Sequence, residues 1–186
     1  MLLQIGQLLV ETIFGFFVFL LLLRFYMQLF RAPFRNPVGE FVTTLTNWMV
    51  LSVRRAVPGL FGLDVASLLL AWLAEALMLL VLYVMRGGTV GTAGVLILVV
   101  AALELVRFSI YLLIGVVLVQ VVLSWVSPYN LLSDVLETLT RPFYRIFRRF
   151  IPPIGAVDLS PLFVLLAAQI LLIVLNGLTR SIYGIF

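Results

Sequence analysis

Glu75 stands near the middle of an apolar run, residues 65–85, where it must either do chemistry or be hidden by packing. A charged side chain at that depth costs about 2.5–3.5 kcal/mol on insertion scales, so it is by default a functional candidate. Arg24, together with Glu11, interrupts another apolar run, 8–30. By helical rise Arg24 lies about 9 Å and Glu75 about 15 Å from the side of the membrane on which the segment between the two runs lies. That spacing makes an Arg24–Glu75 pair between neighbouring helices feasible. The pair would either fix helix packing or, with Gln169, mark a path for protons or ions.

The rest of the inventory excludes most chemistry. The chain has no His and no Cys, which removes the commonest general base, the usual zinc and haem ligand, and thiolate reactions. It carries no Gly-rich phosphate loop, and no nucleophile has a His or Cys near it. The sequence therefore predicts no catalytic residue, no metal, no bound cofactor and no enzyme.

Composition sets the class. Of 186 residues 64% are hydrophobic and 11% charged, against about 45–50% and about 25% in soluble domains. So few charges cannot cover a core of this size, and lipid must be the solvent for much of the surface. All twelve basic residues are arginine, and the net charge is +4. Arginines grouped beside apolar runs point to anionic lipid and not to nucleic acid.

Those arginines define two polar segments. Residues 131–150 place Asp134, Glu137, Thr138, Arg141, Arg145, Arg148 and Arg149 at intervals of three and four. Leu132, Val135, Leu136, Leu139, Phe143, Ile146, Phe147 and Phe150 fill the opposite side. The pattern is that of an interfacial helix with an apolar stripe and a cationic face, kinked at Pro142. Residues 38–57, with Trp48, Arg54 and Arg55, form a weaker version.

A shift of 94 residues superimposes one half on the other. Asn36 meets Asn130, Thr44-Leu45-Thr46 meets Thr138-Leu139-Thr140, Arg54-Arg55 meets Arg148-Arg149, Pro58 meets Pro152, Asp64 meets Asp158, and Glu75 meets Gln169. Each unit reads as span, arginine segment, Arg-Arg-x-x-Pro, an Asp loop and a second span. The prolines stop one helix and Asp or Ser caps the next. The arginines hold the segment at headgroups or dock a partner.

The predicted fold is an all-α membrane protein of two tandem units, 1–88 and 105–186, with four transmembrane helices plus interfacial helices. Residues 89–104 are apolar but short, and read as a re-entrant or interfacial connector, with an extension of the third span or a fifth span as alternatives. The start lacks a positive n-region and a small-residue cleavage site, so the first run is expected to be retained. The positive-inside rule places both arginine segments in the cytoplasm and both termini outside the inner (plasma) membrane. Tyr26, Trp48, Tyr83, Trp125, Tyr129 and Tyr183 fall near span ends, as an aromatic belt would. Gln28, Gln120 and Asn176 are expected to hydrogen-bond between helices, and Glu104 with Arg107 to pair locally.

Thr140-Arg141-Pro142, Arg148-Arg149, Pro152-Pro153 and Asp158-Leu159-Ser160-Pro161 resemble the YggT (YlmG-like) family. The two-unit pattern extends that resemblance over nearly the whole chain. The first unit departs from it at Asn47-Trp48, Gly59 and Val65-Ala66-Ser67. The resemblance implies an inner-membrane or thylakoid protein associated with osmotic tolerance, division or cytochrome assembly, and no defined reaction. The strongest signal of the sequence lies at the interface and not at the midplane, which favours a non-catalytic membrane organisation or assembly factor that meets anionic lipid or other membrane proteins through its arginine helices. The alternative is an ion or osmolyte channel element using Glu75, which four helices would form only as a homo-oligomer.

Overall fold

The structure is a computed structural model describing residues 1–55, 57, 59, 63–127, 132–150 and 158–183, with the side chains of 90–93 and 181–183 excepted. Among the described residues it contains six helices: α1 (Leu2–Leu29), α2 (Pro37–Arg54), α3 (Val65–Met85), α4 (Val90–Val126), α5 (Ser133–Phe150) and α6 (Ser160–Tyr183). The stretches Leu2–Leu29, Val65–Met85, Gly94–Val126 and Ser160–Arg180 are long and apolar enough to cross a bilayer. Each buries only 22–39% of its most apolar window within the chain, leaving the remaining apolar surface for lipid.

Helix ends follow local chemistry. Asn36 caps α2 by accepting the Gly39 N–H at 2.9 Å, with Pro37 at the first helical position, where its missing donor is no loss. α1 ends with Arg31 at φ 58°, its turn closed by Ala32 N–H donating to Met27 O at 2.7 Å. α3 ends the same way on Gly87 at φ 86°, and the Gly88 N–H donates to Tyr83 O. A Cβ on Gly88 would collide with the Tyr83 ring, so this turn favours glycine at both positions.

The segment 89–104 corrects the expectation of a separate re-entrant or interfacial piece. Residues 90–104 are the beginning of α4, continuous with the third span as in the second of the three alternatives. Gly91 and Gly94 cost a helix only about 1 kcal/mol each, and no proline interrupts 90–126, so nothing stops the helix. Its 37 residues make a rod of about 55 Å, longer than the roughly 30 Å hydrocarbon layer. Likewise α5 runs on through Pro142, whose missing N–H leaves the Thr138 carbonyl without its helical donor.

Two compact units divide the chain: Met1–Phe25 with Phe41–Phe108, and Tyr26–Glu40 with Ser109–Phe186. α1, α2 and α4 therefore each contribute to both units, a division that follows contacts and not the sequence halves. In the first unit small buried residues, Ala66, Ala71, Ala76 and Ala101, line the helix faces, the residue sizes that allow close approach in a membrane. In the second, Val117, Tyr144 and Val164 pack together with Leu113, Phe143, Phe147 and Leu165. The Phe147 and Phe163 rings stack at 6.2 Å, and α5 lies against α6.

Candidate functional site

Arg24 does not meet Glu75. Its Nε donates to Asp64 Oδ2 at 3.2 Å, and its Nη1 donates to Thr46 Oγ1 at 2.7 Å and Asn47 Oδ1 at 2.8 Å. Arg54 Nη2 reaches the same Asp64 oxygen at 3.0 Å. The carboxylate also caps α3, taking the Ser67 N–H on Oδ1 at 3.4 Å and the Ser67 hydroxyl on Oδ2 at 2.7 Å. The Asp64 side chain is 0% exposed and that of Arg24 6%. One carboxylate thus joins α1, α2 and the start of α3, and a buried guanidinium prefers this nearer, better-solvating partner to an acid in mid-span. Burial alone would raise the Asp64 carboxyl. Hydrogen bonds from Ser67 and Arg54, and the charges of Arg54 and Arg24, outweigh it and hold the group below its ordinary range.

The second unit carries the same Arg–Asp spacing in a looser setting. Arg148 donates through Nη2 at 2.6 Å and Nε at 3.0 Å to Asp158 Oδ2. These side chains are 51% and 30% exposed. Asp158 Oδ1 accepts the Ser160 N–H at 2.9 Å at the start of α6. Burial pushes this carboxyl up, but the Ser160 and Arg148 contacts prevail and keep it below its ordinary range. Where the first unit has Arg24, the second has a neutral network. Gln120 Oε1 accepts from Thr140 Oγ1 at 2.7 Å and from Tyr144 at 3.0 Å. Burial pushes the Tyr144 phenol up to about 12, and the Arg148 guanidinium lies 5.6 Å over its ring.

Arg141, Arg145 and Arg149 are exposed on α5, beside exposed Ile146 and Phe150. Arg55 is exposed just past α2, whose outward stripe is apolar: Phe41, Trp48 and Leu51. Pro161 lies in the first turn of α6, and Gln169 is exposed on that helix. Ser160 is buried, and its Oγ has no hydrogen-bond partner among the described residues. Pro58, Pro152, Pro153, Asn130 and Tyr129 lie outside the described residues, as does the side chain of Tyr183. Glu75 is 1% exposed, and its Oε2 has no partner among the described residues. Thr46, Asn47 and Ser67 escaped sequence reading as Arg24 and Asp64 partners; the signal was the threonine shared by both arginine segments. No group of three or more acids able to hold a metal occurs among the described residues.

Four long apolar helices joined by short polar and amphipathic segments define a multi-pass α-helical membrane protein. The chain belongs to the CCB3/YggT family, whose model matches residues 3–85 and 99–179. It is 31% identical over 171 residues to an uncharacterized protein of Pseudomonas aeruginosa, covering 90% of this chain and 87% of that one. It is 32% identical over 164 residues to the uncharacterized protein YggT of Escherichia coli, covering 88% and 85% respectively. A chloroplastic YlmG homolog of Arabidopsis thaliana is 40% identical over 67 residues, 36% of this chain and 24% of that protein. No solved structure matches the chain significantly.

Proposed function

We propose that this chain is a non-catalytic organisation or assembly factor of the bacterial inner membrane, linked to osmotic or envelope homeostasis. In this reading both arginine segments face the cytoplasm and both termini face the periplasm. The observation that carries it is the outer face of α5, where Arg141, Arg145 and Arg149 stand exposed beside Ile146 and Phe150. Guanidiniums over exposed aliphatic and aromatic side chains suit a headgroup layer, with the cations at phosphates and the apolar groups at the acyl boundary. Partner membrane proteins would be recruited over this α5 face, or over the exposed Phe41, Trp48, Leu51 and Arg55 of the first unit.

The test is the triple variant Arg141→Glu, Arg145→Glu, Arg149→Glu, purified as the full chain beside wild type. Native mass spectrometry should show wild type retaining anionic phospholipid and the variant losing it, with helical content unchanged. Equal retention of anionic lipid by both proteins would reject the α5 face as the contact surface. Selective ion flux through liposomes holding only this protein, altered by Glu75→Gln, would replace the reading with an oligomeric ion path.

A further inference from the structure

The charges gathered at Asp64 do not balance. Arg24 Nε, Arg54 Nη2 and the Ser67 hydroxyl converge on the one oxygen Oδ2, which has two lone pairs to offer. Two guanidiniums against one carboxylate leave a net positive charge, and Asp64 is the only acid between residues 41 and 74. Thr46 and Asn47 give Arg24 Nη1 neutral acceptors, and its Nη2 bonds to none of the described residues. The Arg24 side chain is 6% exposed, so little of the excess is met by water, and a buried charge is costly unless paired.

The depth of the cluster is that of headgroups. A Cβ on Gly6 would press on Met85 Cε, so the start of α1 lies against the end of α3. Arg24 is about 27 Å further along α1 by rise, and it meets Asp64 at the opposite end of α3. One hydrocarbon thickness is about 30 Å, which puts the cluster at a bilayer boundary. It is open on one side. The Arg54 side chain is 36% exposed, and Arg55 next to it is exposed. Leu51 and Trp48, about one and two turns before Arg55, are exposed and apolar on the same face.

We propose that Arg54 and Arg55, backed by the excess charge of Arg24, bind the phosphate of one anionic phospholipid, whose acyl chain runs along Leu51 and Trp48. The lipid monoanion neutralises the cluster and supplies the oxygens that Asp64 lacks. This site rests on the reading of the chain as a lipid-contacting protein, but it uses none of the α5 residues. It holds a single lipid in a fixed place, where α5 meets a headgroup layer. The second unit has no counterpart among the described residues, because Arg148 and Asp158 pair one to one.

The test uses the full-length chain carrying Arg141→Glu, Arg145→Glu and Arg149→Glu, so that lipid on α5 is not mistaken for lipid at this site. Phosphatidylglycerol is added back to the delipidated protein in zwitterionic micelles, and bound lipid is counted by native mass spectrometry. One phosphatidylglycerol per chain should bind, with phosphatidylcholine about tenfold weaker. Arg54→Gln and Arg55→Gln should each weaken binding by about tenfold. Asp64→Asn adds a further positive charge to the cluster and should tighten binding, whereas a purely structural carboxylate would not. With helical content unchanged, the site is overturned if no lipid binds, if Arg55→Gln binds as well as its parent, or if Asp64→Asn binds no tighter. Displacement of the lipid by millimolar inorganic phosphate makes the ligand a free phosphate and overturns the lipid assignment. Failure of the α5 reading leaves these outcomes untouched, because the α5 arginines are already absent.

Discussion

Arg54–Asp64 and Arg148–Asp158 are the same pair, ten residues apart, in two different surroundings. In the first unit a second guanidinium, Arg24, enters from α1 and the carboxylate is sealed. In the second no further guanidinium joins the pair among the described residues and it is partly wet, and the buried polar role passes to Gln120, Thr140 and Tyr144. One surface motif has thus become structural where burial removed the competing water, and has stayed a surface contact where water remains. The energetic consequences should differ by several kcal/mol.

The largest effect is expected for Arg24→Met. It leaves Asp64 buried against Arg54 only, and breaking a buried pair costs about 3–5 kcal/mol. Reversible unfolding in mixed micelles measures it. A cost near that of a surface pair would mean Arg54 alone satisfies Asp64, and the contrast between the units would vanish. Acid sharpens the same point. The Asp64 carboxyl is held below its ordinary value of 3.8, so its contribution is fully present above that pH and is lost as pH falls through the depressed value. Below about pH 4 wild type should therefore lose stability more steeply than Asp64→Asn.

Next come the two threonines. Thr46 Oγ1 accepts from a charged donor, Arg24, and bonds of that kind are worth about 1.5–3 kcal/mol. Thr140 bonds the neutral Gln120, worth about 0.5–1.5 kcal/mol. Thr46→Val should accordingly be the more damaging of two isosteric changes, measured by the same unfolding equilibrium. Equal costs would show that the charge on Arg24 is no better solvated by its neighbours than an amide.

Much of this contrast was visible in the residue order, and its energetic half was not. The four apolar spans, the amphipathic α5, the local Glu104–Arg107 pair, the Gln120 contact and the capping role of Asp64 and Asp158 all follow from short-range periodicity and helix-end chemistry. Arg24 was misassigned because helical rise reports depth along a span and is silent about azimuth. Glu75 and Asp64 were both within its axial reach, and only the direction of each side chain separates them. The continuity of α4 stood only as an alternative for a related reason. Glycines permit a break, but a helix with no proline has no cause to take one.

The smallest effect tests the exposed partner of the comparison. Arg148 and Asp158 are about half and about one third exposed, and pairs of this kind contribute about 0–1 kcal/mol. Arg148→Ala should therefore cost no more than that, with part of the loss coming from the guanidinium stacked over the Tyr144 ring. Salt separates the two contributions. The screening length falls from about 10 Å at 0.1 M to about 3 Å at 1 M, which weakens a wet pair and scarcely touches a sealed one. Raising salt should shrink the cost of Arg148→Ala towards its packing remainder and leave the cost of Arg24→Met unchanged. If both costs shrink alike, Asp64 is reached by water, and burial no longer distinguishes the two units.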